Sequence, residues 1–221
     1  MASRERPWRE KNHENGDSIV VLDGVTSFGC LHEPLTASLK KGDSAVIRST
    51  EHKDALNLMK ILAGIMPAAT GRADVLGARC NSSEGRSVIS SFGSFIRPYL
   101  GATLWQNLLL YQGFQGSPID REVRAKDVIG QLQLAELGDR HLAELDKEEL
   151  SLVSFACFLV QRAQLSCMFD SIDLSDDGKR RKVASSLAAL RSQGRTFLWL
   201  SPPIFFRDFA EKEIVLSPKM S

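Results

Sequence analysis

Short apolar runs separated by turn residues come first: "SIVVLDGV" (18–25) and "LTASLKKGDSAVI" (35–47) read as strands. The pattern then changes period. "DALNLMKILAG" (54–64) is apolar on most faces, as a helix sandwiched inside a domain is, and Gly64 supplies its C-terminal stop. "RADVLG" (72–77) and "SVISSFG" (87–93) return to short strands. From Arg97 to about Leu145 the apolar positions belong to helices with polar surfaces, "TLWQNLLLYQGF" and then "IDREVRAKDVIGQLQLAEL". An apolar helix over 148–162, a buried strand "LSCMFD" (165–170), a helix "DGKRRKVASSLAALRSQG" and the strands "RTFLWLS" and "EIVLS" follow. Strands alternating with helices predict a mostly parallel sheet covered on both faces, the middle helices forming an insert. Residues 1–17 read as a disordered polar lead-in, 18–221 as one domain and about 93–147 as its helical subdomain.

Composition narrows the function classes. The 221 residues, 43% of them hydrophobic, suffice for one large domain. The 28 basic and 27 acidic side chains nearly cancel, so no broad field points to nucleic acid as a partner. The basic run "GKRRK" (178–182) starts a helix and reads as its solvated face. Cys30, Cys80, Cys157 and Cys167 are widely spaced and form no CxxC pair, which predicts no metal site and a reduced, cytoplasmic chain. "MASRERPWREKNHENGD" lacks the apolar stretch of a secretory signal. The longest apolar segment, "LSLVSFACFLV" (150–160), is too short to span a bilayer, so any membrane association is peripheral.

The candidate chemistry lies between Ser44 and Gly64. A strand, a loop and a buried helix are the layout of a phosphate-binding loop, yet "RSTEHKDA" (48–55) holds no glycine. Glycines let a backbone adopt positive φ and turn several N–H groups toward phosphate oxygens, and a lysine neutralises the charge. Here Glu51 and Asp54 put negative charge at a helix N-terminus that otherwise attracts anions. The helix is expected to cap itself through Ser49 or Thr50, a contact worth roughly 1 kcal/mol.

Four segments, "SLKKGDSAVI", "LMKILAGIMPAATGRADVLG", "GATLWQNLLLY" and "LRSQGRTFLWLS", resemble in order the framework around the motifs of ABC-transporter nucleotide-binding domains. The resemblance runs from Ile19 to Leu216. It implies a P-loop NTPase-like α/β fold: a mostly parallel sheet, an antiparallel N-terminal β part and a helical insert. It also supplies a ruler for the motifs. The family's GxxGxGKST puts its lysine at Ala55, the serine and threonine at Leu56 and Asn57, and the glycines at Ser49, His52 and Asp54. The LSGGQ signature falls on Leu145, Asp146, Lys147, Glu148 and Glu149. The Walker B aspartate is kept as Asp170, but the general-base glutamate becomes Ser171 and the switch histidine Pro202. The Q-loop glutamine falls on Ser94 or Gly93, and "SDD" (175–177) is only faintly like the D-loop. Phe28 matches the adenine-stacking aromatic, although a buried structural Phe explains it as well.

In this family each nucleotide lies between the Walker A of one subunit and the signature of another. A chain lacking both spoils both composite sites, even beside an intact partner. The resemblance therefore implies a catalytically inactive ATPase-like subunit, a pseudo-ATPase without ATP or magnesium as working cofactors. It would act as scaffold or regulator on a membrane permease subunit, an active ABC ATPase, or in a homodimer, at the inner face of the membrane. Two other readings stay open: a soluble adaptor without a transporter, and an atypical nucleotide site using Asp170 and Lys53. The aromatic-rich stretch 92–114 is the candidate partner surface, with Phe95, Arg97 and Tyr99 on its loop and Trp105 and Leu109 assigned to the core.

Overall fold

The computed structural model describes residues 18–30, 32–93, 97–113, 116–138, 140–170, Ile172, 174–200 and 211–218. The predicted lead-in over 1–17 lies outside them. In chain order the elements are β1 (Ser18–Thr26), β2 (Leu35–Lys40), β3 (Ser44–Ser49), α1 (His52–Leu62), β4 (Thr70–Val75), β5 (Ala78–Arg79), α2 (Ser83–Ser87) and β6 (Ile89–Phe92). Then follow α3 (Leu104–Gln112), α4 (Pro118–Leu132), two short 3-10 turns, α5 (Lys147–Leu159), β7 (Leu165–Met168), α6 (Asp177–Ser192), β8 (Thr196–Trp199) and β9 (Lys212–Leu216).

Two sheets result. An antiparallel one has the order β2-β1-β4-β5, and a parallel one the order β6-β7-β8-β3-β9. Successive side chains of a strand point to opposite faces, and this alternation divides the interior in two. Ala45, Ile47, Leu165, Cys167, Leu198 and Ile214 pack with α1 and the antiparallel sheet. Val46, Met168, Phe197 and Trp199 pack on the other face with α5, α6 and the middle helices. Phe92 stands edge-on to Phe155 and Phe158, with centroids 6.1 Å from each, and so pins β6 to α5. Trp199 is fully buried, and its indole N–H donates to Ser44 Oγ at 3.0 Å.

At the amino-terminal edge of the parallel sheet, Arg195 is buried without a carboxylate on either of its bonded nitrogens. Its Nε donates to Ser166 Oγ at 2.7 Å and its Nη2 to Ser90 Oγ at 2.6 Å, with the guanidinium 4.8 Å above the Phe158 ring. Burial pushes this guanidinium down to about 9. The four cysteines are all buried and free. Burial raises Cys80 and Cys157 to about 12 and Cys167 well above its ordinary value.

Two expectations are corrected. The stretch 87–93 is not all strand, because Ser83–Ser87 forms α2, with Ser82 as N-cap, and β6 begins only at Ile89. The helix placed over 148–162 runs from Lys147 to Leu159, since Asp146 caps it one residue earlier. No helix among the described residues is long and apolar enough to cross a membrane.

Gly64 ends α1 as expected. It has φ +70°, its N–H donates to Ile61 O, and the Ile65 N–H closes onto Lys60 O. A Cβ there would stand 2.4 Å from the Cys80 carbonyl oxygen. Gly64→Ala is therefore expected to lower the free energy of unfolding by more than about 1 kcal/mol, read as a lower urea midpoint at unchanged slope.

Candidate nucleotide site and its surroundings

Ligands of open α/β sheets bind outside the carboxyl ends of the strands. Along this edge lie Ser49 at the end of β3, Phe92 at the end of β6 with Gly93 after it, and Asp170 two residues past β7. Between β3 and α1 there are only two residues, Thr50 and Glu51. Ser49 Oγ accepts from the Glu51 N–H at 3.2 Å, and the Glu51 carbonyl accepts from the Asp54 N–H at 3.0 Å. No residue from Arg48 to Ala63 has positive φ. The N-cap is Glu51, with no side-chain bond, which corrects the expectation of Ser49 or Thr50.

Of the positions aligned with the phosphate loop, Ser49 ends β3 and the others are distributed along a helix. His52 is its first residue and is exposed, like Lys53. Asp54 is 2% exposed and Ala55 4% exposed, Asn57 is buried, and Leu56 packs half-buried on the α1 core. Asp54 lies in the first turn, where the helix dipole favours a negative charge.

The structure does bring Asp170 and Gly93 together. Gly93 has φ +126°, and a Cβ there would come within 2.8 Å of Asp170 Oδ2 and 2.9 Å of Phe169 Cβ. Only glycine lets β6 end this close to the Asp170 carboxylate. Ser171, Pro202, Ser94 and Phe95 lie outside the described residues. Phe28 stands on the turn after β1 and is 63% exposed, so the buried-core explanation does not hold for it.

At the signature positions the chain uses its own acids. Asp146 caps α5 by accepting from the Glu149 N–H at 2.8 Å, while Glu149 reaches back to the Asp146 N–H at 3.0 Å. Glu149 also pairs with Arg140 at 3.3 Å. Leu145 packs half-buried against the core, and Lys147 is exposed. The side chain of Glu148 reaches from α5 to the start of α6. Its Oε1 accepts from Ser175 N–H at 2.7 Å, Ser175 Oγ at 3.0 Å and Asp176 N–H at 3.3 Å, and its Oε2 from Lys179 Nζ at 2.8 Å. The Lys179 bond first, and then the Ser175 and Asp176 donors, hold the Glu148 carboxyl down at about 2. Sequence reasoning missed this link, because nothing local marks partners 27 residues apart.

The candidate partner loop is held from behind by α3. Asn107 brackets Tyr99, accepting its N–H at 2.7 Å and donating to its carbonyl at 3.0 Å, and the Tyr111 hydroxyl donates to the Arg97 carbonyl at 2.7 Å. This leaves the side chains of Arg97 and Tyr99 exposed, Tyr99 by 65%. Trp105 packs half-buried on the core and Leu109 is half-buried, while Leu104 and Leu108 fill the fully buried face. An Asn within a helical run, where it is a poor helix former, was the available signal for Asn107.

Two outcomes follow from this geometry. Asp146→Ala removes the α5 capping box and is expected to lower stability by about 1 kcal/mol in chemical denaturation. The folded-state value of Glu148 lies below its ordinary 4.5, so the stability it contributes is present above that pH and is lost as pH falls toward 2. Asp146, Asp176 and Lys179 share its surroundings. Over that acid window the melting temperature of the wild type should fall more steeply than that of Glu148→Gln.

No protein-family model matches the chain, and no curated protein matches it. Solved structures do. An ATP-binding subunit of an ABC transporter superposes with a TM-score of 0.76 at 15% identity, covering 90% of this chain and 86% of that one. An ATP-binding cassette in a dimeric post-hydrolysis state, bound to ADP and Pi, gives 0.73 at 16%, covering 90% and 94%. The cbiO1 protein from Clostridium perfringens, part of the ABC transporter complex cbiONQ, gives 0.72 at 15%, covering 91% and 85%. The chain has the fold of the ATP-binding cassettes of ABC transporters.

Proposed function

We propose that this chain is a catalytically inactive ATP-binding-cassette subunit, a pseudo-ATPase that acts as scaffold or regulator on a membrane transporter. One observation carries the reading: only two residues separate β3 from α1, so the positions aligned with the phosphate-binding glycines and lysine are spent on the strand end, the helix and the core. A helix there offers no arching loop of N–H groups, and Asp54 supplies charge of the wrong sign. The α5 N-terminus, capped by Asp146 and Glu149, supports the same reading at the signature positions. Its partners are a permease subunit, an active ATPase or a second copy of the chain, at the cytoplasmic face of the membrane. The rigidly backed loop with Arg97 and Tyr99 is the contact surface.

Calorimetry with magnesium and ATP, taken to millimolar nucleotide, is expected to show no binding heat and no thermal stabilisation. Micromolar binding would overturn the proposal in favour of a nucleotide sensor. Ala55→Lys alone is expected to yield no ATP turnover, because the backbone around position 55 stays helical. Tyr99→Ala should keep the melting temperature and weaken capture of the permease subunit; a large loss of stability instead would remove the interface assignment.

A further inference from the structure

Glu148 joins two helix N-termini that the chain reaches by separate routes. α5 follows the helical insert, whereas α6 starts after β7 in the parallel sheet. The side chain of Glu148 is 26% exposed and that of Lys179 33% exposed, so this is a rim contact, and exposed ion pairs usually contribute little. Its geometry sets it apart. Both carboxylate oxygens are engaged, and two of the four donors are backbone N–H groups that cannot swing away as a lysine can. Asp176 caps α6 through the Lys179 N–H at 2.7 Å, which fixes those two groups in place. The set of one hydroxyl, two backbone amides and one ammonium is what an oxyanion requires.

We propose that Glu148 is a latch: the start of α6 is an oxyanion cradle filled by the chain's own carboxylate, and this contact locks α5, with the helical insert, in one orientation on the parallel sheet. The Arg140–Glu149 pair beside it ties the segment before α5 to the same turn, so the whole end of α5 is held. With the latch closed, the cradle is unavailable to an external anion. This holds whether or not the chain binds nucleotide.

Hydrogen exchange on the full chain tests the cradle. In Glu148→Ala the amides of Ser175 and Asp176 are expected to exchange at least about tenfold faster than in the wild type. Acetate titrated into the tens-of-millimolar range should restore their protection in the variant and leave the wild type unchanged, whereas sodium chloride should do neither. Spin labels at Lys53→Cys on α1 and Lys126→Cys on α4 test the orientation, the native cysteines being buried. A single narrow distance distribution is expected in the latched protein and a broadened one in Glu148→Ala. Should Glu148→Ala fail to fold, Lys179→Met keeps the carboxylate and removes one donor; it should broaden the distribution to a smaller degree. Wild-type exchange at Ser175 and Asp176 in Glu148→Ala, no acetate rescue, or an unbroadened distribution in the folded variant would each overturn the latch.

Discussion

The burial of both faces of the parallel sheet is the constraint on which the rest depends. Strands of four to six residues carry alternate side chains into two cores, and neither core forms unless a helix layer covers it. α1 covers one face together with the antiparallel sheet, and α3, α4, α5 and α6 cover the other. Because β3 contributes Ala45 and Ile47 to one side and Val46 to the opposite one, it cannot shift by a residue without inverting both. The position of Ser49, and with it the start of α1, is therefore set by packing on the sheet.

At the helix ends the chain supplies its own negative charges. Asp54 lies in the first turn of α1, Asp146 and Glu149 close a capping box on α5, and Asp176 with Glu148 covers the start of α6. Each N-terminus has donors and a partial positive charge that a bound anion or a local acid can satisfy. Here acid side chains accept from the first amides of α5 and α6, while at α1 Asp54 supplies only a charge in the first turn. The α1 junction and the positions aligned with the signature thus use the same device at separate helix ends.

Much of the architecture was legible because it is written in local pattern. The strand runs, the apolar α1 with its Gly64 stop, and the apolar α5 all announce themselves by period and by end signals. α2 was lost because five residues with one buried position carry almost no periodicity. The α1 cap, expected at Ser49 or Thr50 because serine and threonine are better caps than glutamate, falls one or two residues later, since β3 pairs with β9 through Ser49 and delays the helix. Phe28 was expected to have a buried explanation because aromatic side chains usually do, but the turn holds it out of the core. The Glu148 bridge has no local signature at all, since it exists only after β7 has been threaded between α5 and α6. Gly93 could be marked as unusual, but its reason, the approach of Asp170, is tertiary.

The four thiols give the interior a built-in reporter. They sit on four different segments, Cys30 after β1, Cys80 after β5, Cys157 inside α5 and Cys167 in β7, with Cys80 and Cys167 in one core and Cys157 in the other. A thiol must reach solvent and lose its proton before it reacts, and burial opposes both at Cys80, Cys157 and Cys167. Their alkylation rates are therefore clocks of opening rather than of surface chemistry. Cys157 times the release of α5 and Cys167 the parting of the sheet, so one labelling time course tells whether the two cores come apart together or in turn.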